Sequence, residues 1–199
     1  FLVLVGVGVG DGDAEVEDDG VNAPAEDRDH AANAARAALD CCKRLDELNH
    51  DAAALQGRQL TQRIGINSGD ALVGNFGSRR RFNYSVMSDA VNLASRLEGA
   101  NKHYDTMILL GPRTYELAAQ DIEAREIDRL CVKGKKEPVV VFELLARRGC
   151  LSAEQHRVIK TYLEGLEAYK HGDFKTAAAQ FEAALSLDPR DGPSRVYLE

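Results

Sequence analysis

Between residues 62 and 99 the chain changes hydrophobic period in mid-run, and that change constrains the fold more than any other feature. Gln62 to Asn67 alternates as a half-buried strand does, with Ile64 and Ile66 on one face. Ser68-Gly69-Asp70 supplies a turn, Ala71 to Phe76 a second strand, Ser78 to Arg81 another turn, and Phe82 to Met87 the partner strand. Asp89 then caps a helix running to about Leu97, with Val91, Ala94 and Leu97 toward the core and Gly99 or Asn101 closing it. A strand, a hairpin and an amphipathic helix in so short a span call for a sheet with a helix laid against it.

The flanking residues extend the pattern. Asp29 to Asn49 reads as a helix capped by Asp29, with Ala31, Ala35, Ala38, Leu39, Cys42, Leu45 and Leu48 as its apolar stripe. Met107 to Leu110 is a short strand, and Pro112 opens a helix through Ala119. Arg125 to Val132 and Pro138 to Leu145 read as closing strands around a Lys133-Gly134-Lys135-Lys136 turn. Strands and helices alternate in a mixed pattern, which predicts an α+β sheet with helices packed on one face.

The two ends differ from this middle. Residues 1–28 alternate Val and Gly and then turn acidic; glycine in a strand interior offers nothing to pack, so the segment reads as a poor strand and a disordered or degenerate tail. The phosphate-loop patterns are not in register there, and no Lys precedes Lys43. The chain starts without Met in mid-pattern, as a fragment would. At the other end, Ser152 to Lys170 and Asp173 to Leu187 form two amphipathic helices joined at His171-Gly172 and stopped by Asp188-Pro189. The expected organisation is therefore 1–28 as the degenerate segment, 29–147 as the main domain and 150–199 as a helical hairpin.

Charge and cysteines exclude several functions. The net charge is −7, and residues 1–30 alone hold nine carboxylates and one Arg, so the remainder is near neutral. No basic stripe exists to release counterions from nucleic acid, and no nucleic-acid partner is expected. No run approaches the roughly 20 apolar residues of a membrane span. Cys41, Cys42, Cys131 and Cys150 show neither a C-x-x-C pair nor zinc-ligand spacing, which fits free thiols in the cytoplasm.

The residues that carry chemistry are Asn92 and Arg96. At i and i+4 they share one helix face, about 6 Å apart. A guanidinium offers a fork of donors to an anionic phosphoryl oxygen, and an amide beside it can position a hydroxyl or ring oxygen.

The run Arg63-Ile-Gly-Ile-Asn-Ser-Gly-Asp70, Gly74-Asn-Phe-Gly77 and Phe82 to Gly99 strongly resembles the catalytic core of class III nucleotidyl cyclases, the adenylate and guanylate cyclase family. The resemblance implies a ferredoxin-like mixed sheet with helices, here incomplete at its N-terminus, plus the C-terminal α-helical hairpin. It implies attack of the ribose 3′-oxygen on the α-phosphorus of ATP, giving cyclic AMP and pyrophosphate. Asn92 matches the position that orients the ribose, and Arg96 the one that stabilises the transition state. Ser85 matches the position that helps choose the base and favours ATP over GTP. Lys133 matches a lysine on the terminal phosphates. Two Mg²⁺ or Mn²⁺ ions are implied, held by two Asp residues. A homodimer or cyclase-domain heterodimer is implied too, because the family site forms between protomers.

Four departures qualify the resemblance. The base-selecting Lys that the family places just before the metal turn is missing, with only Val, Gly and Asp standing there. The early strand with the first metal-binding Asp would precede residue 1. The best match to the second is Asp13, in Gly12-Asp13-Ala14, two residues too early; the spacing from Pro24 points to Glu15. Ser88 stands where the family usually has Gly, which would strain the turn by about 1 kcal/mol if it needed a positive φ. The expected function is thus an adenylate cyclase domain in intracellular signalling, inactive as this fragment. The alternatives are a non-catalytic pseudocyclase acting as a regulatory module and, disfavoured by Ser85, a guanylate cyclase. Gly165, Tyr169, Gly172, Ala177, Phe181, Ala184 and Pro189 fall at positions similar to those of one tetratricopeptide repeat, which implies docking on the main domain or on a protein partner.

Overall fold

The computed structural model describes residues 2–7, 27–51, 58–78, 81–131 and 138–199, with 2–7, 72–78 and 81–87 as backbone. Strand β1 is Leu2–Val7, helix α1 His30–His50, β2 Ile64–Gly69, β3 Leu72–Ser78 and β4 Arg81–Met87. Helix α2 is Asp89–Tyr104, β5 Ile108–Leu110, α3 Pro112–Ala118, β6 Ile122–Leu130 and β7 Val139–Arg147. Helices α4 (Ala153–Lys170), α5 (Phe174–Leu187) and α6 (Gly192–Val196) complete the chain.

The main sheet has the order β1-β2-β5-β7-β6; β1, β2 and β5 run parallel, while β7 is antiparallel to both β5 and β6. Strands β3 and β4 form a separate antiparallel hairpin. This is the mixed α+β architecture expected.

Residues 2–7, read as a poor strand, instead pair along β2 from Leu2 opposite Ile64 to Val7 opposite Gly69. The ladder of backbone bonds compensates for the packing that Gly6 cannot provide, and the alternate Val positions suit extended backbone.

The helices also depart from expectation, because they cover both faces of the sheet. On one face Ala31, Ala32, Ala35 and Ala38 of α1 pack on Ile64, Ile66, Ile108, Leu110 and Leu144, with Ala118 of α3. On the other, Leu93 and Leu97 of α2 join Leu109, Ile127, Val141, Tyr162, Leu166 and Phe181. Ile108 and Leu110 thus face α1, and Leu109 between them faces α2, as the period of a strand buried on both sides requires. Alternation read over so few residues cannot tell a strand with one buried face from one with two.

Helix ends differ in detail. Asp29 precedes α1 but makes no side-chain cap; the Asp27 carboxylate before it accepts from the Asp29 N–H at 2.9 Å and from the Asn33 side-chain amide at 2.8 Å. Helix α2 runs through Gly99 and Asn101 and ends at Asp105, in the left-handed region at φ 54°. Asn101 fails to stop the helix because it is fully buried, its amide donating to the carbonyls of Ile64 (2.9 Å) and Leu97 (3.0 Å) while Thr106 donates to its oxygen at 2.8 Å. No helix among the described residues is long and apolar enough to cross a membrane.

Candidate active site

The site is organised around the carboxyl end of β2. Gly65 lies under α2, where a Cβ would come within 2.1 Å of the Ala94 carbonyl, so the helix axis can approach the strand closely. Two residues on, buried Asn67 donates from its amide to the Ala90 carbonyl at 3.1 Å, and buried Thr114 donates to Ser68 at 3.1 Å. These bonds tie the first turn of α2 and the start of α3 to one strand end. Strand β2 then gives way to exposed Asp70 and the β3–β4 hairpin, which delivers the chain to Ser88.

Ser88 is the cap of α2. Its backbone is extended at φ −171°, a conformation open to any residue, and its hydroxyl accepts from the Val91 N–H at 3.2 Å. The strain expected of Ser in place of Gly is therefore absent; the hydroxyl satisfies an N–H that would otherwise lack a partner. Asp89, read as the cap, is the first helical residue, where its charge complements the helix N-terminus.

Asn92 and Arg96 are both exposed, one turn apart, and Leu93, Ala94 and Leu97 beside them are buried. The burial phase of α2 therefore turns the amide and the guanidinium to the solvent side together. Val91, expected in the core, is only half-buried, and Leu93 takes its place. On the buried edge of the helix, Glu98 pairs with Arg63 at 3.4 Å.

The other candidate residues are placed less fully. Ser85 lies on β4 opposite Gly74, three residues before the cap, and only its backbone is described. Asp13 and Lys133 lie outside the described residues, as does the turn expected at Lys133 to Lys136. Among the described residues no three His, Cys, Asp or Glu side chains gather as a metal site.

Sequence reasoning missed Asn67 and Asn101, the two buried amides that hold α2. The signal for Asn67 was a polar residue on the strand face shared with Gly65, opposite Ile64 and Ile66.

Comparison with known proteins places this architecture. The adenylate and guanylate cyclase catalytic domain profile matches residues 12–145. The terminal-differentiation-specific adenylate cyclase of Dictyostelium discoideum is 29% identical over 173 residues, covering 85% of this chain and 8% of that protein. Adenylate cyclase 1 of Rhizobium meliloti is 35% identical over 124 residues, covering 62% of this chain and 19% of its own length. The chain therefore spans less than a fifth of either relative. Among solved structures, the adenylyl cyclase CyaB from P. aeruginosa is 30% identical with a TM-score of 0.56, covering 67% of each chain. The guanylyl cyclase Cya2 is 30% identical with a TM-score of 0.54, covering 65% of each.

The chain belongs to the adenylate and guanylate cyclase catalytic domain family. Similar structures fall on both sides of the adenylyl–guanylyl division, so the shared fold leaves the choice of base to side chains.

Proposed function

We propose that this chain is an adenylate cyclase domain that converts ATP to cyclic AMP and pyrophosphate. The observation that carries the reading is the shared exposure of Asn92 and Arg96 on the first turns of α2, directly after the hairpin that bears Ser85. In this reading Asn92 orients the ribose so that its 3′-oxygen faces the α-phosphorus. Arg96 holds the phosphoryl oxygens as negative charge builds on them, a donor fixed in advance being the most effective kind of stabilisation. Ser85 presents a hydroxyl to the adenine edge, and Lys133 meets the terminal phosphates as a point charge.

Mg²⁺ or Mn²⁺ would supply charge neutralisation, with Asp13 as the candidate ligand from this chain. A second protomer of the same kind completes the site. The C-terminal hairpin, similar in sequence to one tetratricopeptide repeat, is assigned to 150–199 beside a catalytic unit of 29–147, and the protein acts in the cytoplasm on intracellular ATP.

A form extended at its N-terminus so as to carry both family metal-binding Asp residues is expected to make cyclic AMP from ATP with Mn²⁺, whereas the 199-residue chain alone makes little. In the active form Arg96→Ala lowers kcat by about a hundredfold or more. Preferential formation of cyclic GMP from GTP would overturn the assignment of Ser85. An unchanged kcat in Arg96→Ala would overturn the site itself.

The displaced Gly12-Asp13-Ala14 favours one second reading, a pseudocyclase that binds nucleotide and regulates a partner without turnover. Acidic residues at both metal positions in a longer reading of the gene would decide for the enzyme.

A further inference from the structure

Strand β6 is irregular where the C-terminal helices meet it. Its pairing with β7 passes from Glu126 opposite Phe142 to Asp128 opposite Val141, so Ile127 has no partner residue across the ladder. The carbonyl of this bulged residue instead accepts two phenol hydroxyls, from Tyr162 of α4 and from Tyr197 just after α6, each at 2.9 Å. One buried oxygen thus receives both hydroxyls from the C-terminal segment, and the bulge that frees it is an interruption of regular pairing within the sheet.

Three further links converge on the same place. Arg125 of β6, 5% exposed, donates to Glu143 at 2.7 Å and to buried Asp191 at 2.5 Å, and its guanidinium lies over the Tyr162 ring at 4.7 Å. Asp191 also accepts from the Ser194 N–H, so one carboxylate caps α6 and pairs with the strand. Lys170 of α4 bridges to Glu126 at 2.9 Å.

The far end of α2 is held within this network. Tyr104 donates to Asp128 of β6 at 2.5 Å, and Arg195 pairs with Asp105 at 3.5 Å. Gly192 presses so closely on the end of α2 that a Cβ there would lie 2.2 Å from the Tyr104 carbonyl. The last turn of the helix that carries Asn92 and Arg96 is therefore clamped between β6 and α6.

We propose that the C-terminal helical segment is a brace built into the cyclase unit, with Tyr162, Tyr197 and Gly192 as positioning residues that set the pose of α2 and hence of Asn92 and Arg96. This rests on the cyclase reading for its meaning, while its test needs no nucleotide. A helix is a stiff rod, so a shift at its anchored end is carried about 12 Å to Arg96 and about 18 Å to Asn92. The Dictyostelium relative fits such a role. A match covering 85% of this chain takes in most of α4 wherever it begins, beyond the end of the family profile at residue 145.

The test compares the chain with Tyr162→Phe/Tyr197→Phe and with Gly192→Ala, using amide hydrogen exchange and the NMR signals of the Asn92 side-chain amide and the Arg96 Nε–H. Both variants are expected to speed exchange in the first two turns of α2 by about tenfold, to move both side-chain signals, and to leave α1 exchange unchanged. Lys160→Ala, on the exposed side of α4, should do none of this. Undisturbed signals at Asn92 and Arg96, with exchange altered only in β6 and α4, would overturn the brace; so would a uniform rise in exchange across α1 and α2. Failure of the chain to bind ATP would count against the cyclase reading and leave this result standing.

Discussion

Under α1 and α3 the sheet is closed by small side chains, four buried alanines from α1 and one from α3, packed on Ile and Leu. The opposite face is closed by Tyr104, Tyr162 and Phe181, with an ion cluster and tyrosine hydroxyls aimed at single backbone atoms. Alanine lets a helix lie close and contributes area without direction, so such a face tolerates sliding. Aromatic rings with polar tips contribute area and also specify position, because each hydroxyl satisfies only one geometry. The face that holds the helix bearing Asn92 and Arg96 is the one built with directional bonds.

The sharpest way to break this comparison is Phe181→Ala. The ring is fully buried between Tyr162 and Tyr197, stacked on the latter at 5.0 Å, and its loss is expected to cost about 3–5 kcal/mol in denaturant unfolding. A cost below 1 kcal/mol would mean that the C-terminal helices are not integral to this face.

On the alanine face the corresponding change is one of excess. Ala35 is fully buried, and Ala35→Leu should cost about 1–3 kcal/mol by overpacking while leaving exchange in α2 near native.

The hydroxyls can be tested through pH. Burial pushes the Tyr162 and Tyr197 phenols above their ordinary value, and burial with the Asp128 carboxylate does the same to Tyr104. Because the folded values lie above the unfolded ones, this contribution to stability is fully present below the unfolded value of about 10 and is lost as pH rises past it. Tyrosinate absorbance should therefore rise together with loss of circular dichroism, as one transition. Tyr162→Phe/Tyr197→Phe should show a shallower decline in base, at the expense of about 1 kcal/mol per hydrogen bond at neutral pH. Ionisation of these phenols in a protein that stays folded would contradict the clamp.

The smallest effect belongs to the surface link between the layers. Arg147 donates to both oxygens of Asp40, at 2.7 and 2.8 Å, but both side chains are at least half-exposed. Arg147→Ala is expected to cost under about 1 kcal/mol in thermal unfolding, and less in high salt.

Much of this molecule was legible because the cyclase run keeps its local signals consistent. The β2 pattern, the pairing of β3 with β4, Pro112 at the start of α3 and the exposed phase of Asn92 and Arg96 follow from periodicity and cap chemistry. The errors share a cause. Asn101 was read as a helix end and Gly65 as one more strand residue, because their roles depend on partners far along the chain: the Ile64 carbonyl for one and the α2 backbone for the other. Ser88 was judged by a turn geometry that the backbone does not adopt.

The C-terminal hairpin shows the same division. Its two helices and the Gly172 turn, at φ +78°, were evident from composition and spacing. Its seat on β6 was not, since neither Ile127 nor Tyr162 carries any local sign of the other.

What the sequence determined by itself was the succession of strands and helices and the presentation of an amide and a guanidinium on one helix face, because both depend on residues within a turn of each other. Only the tertiary structure decided that helices cover both faces of the sheet and that a bulge in β6 receives two hydroxyls from the C-terminal segment. Those outcomes arise from packing and from buried backbone groups seeking partners across more than thirty residues, a distance over which no sequence period operates.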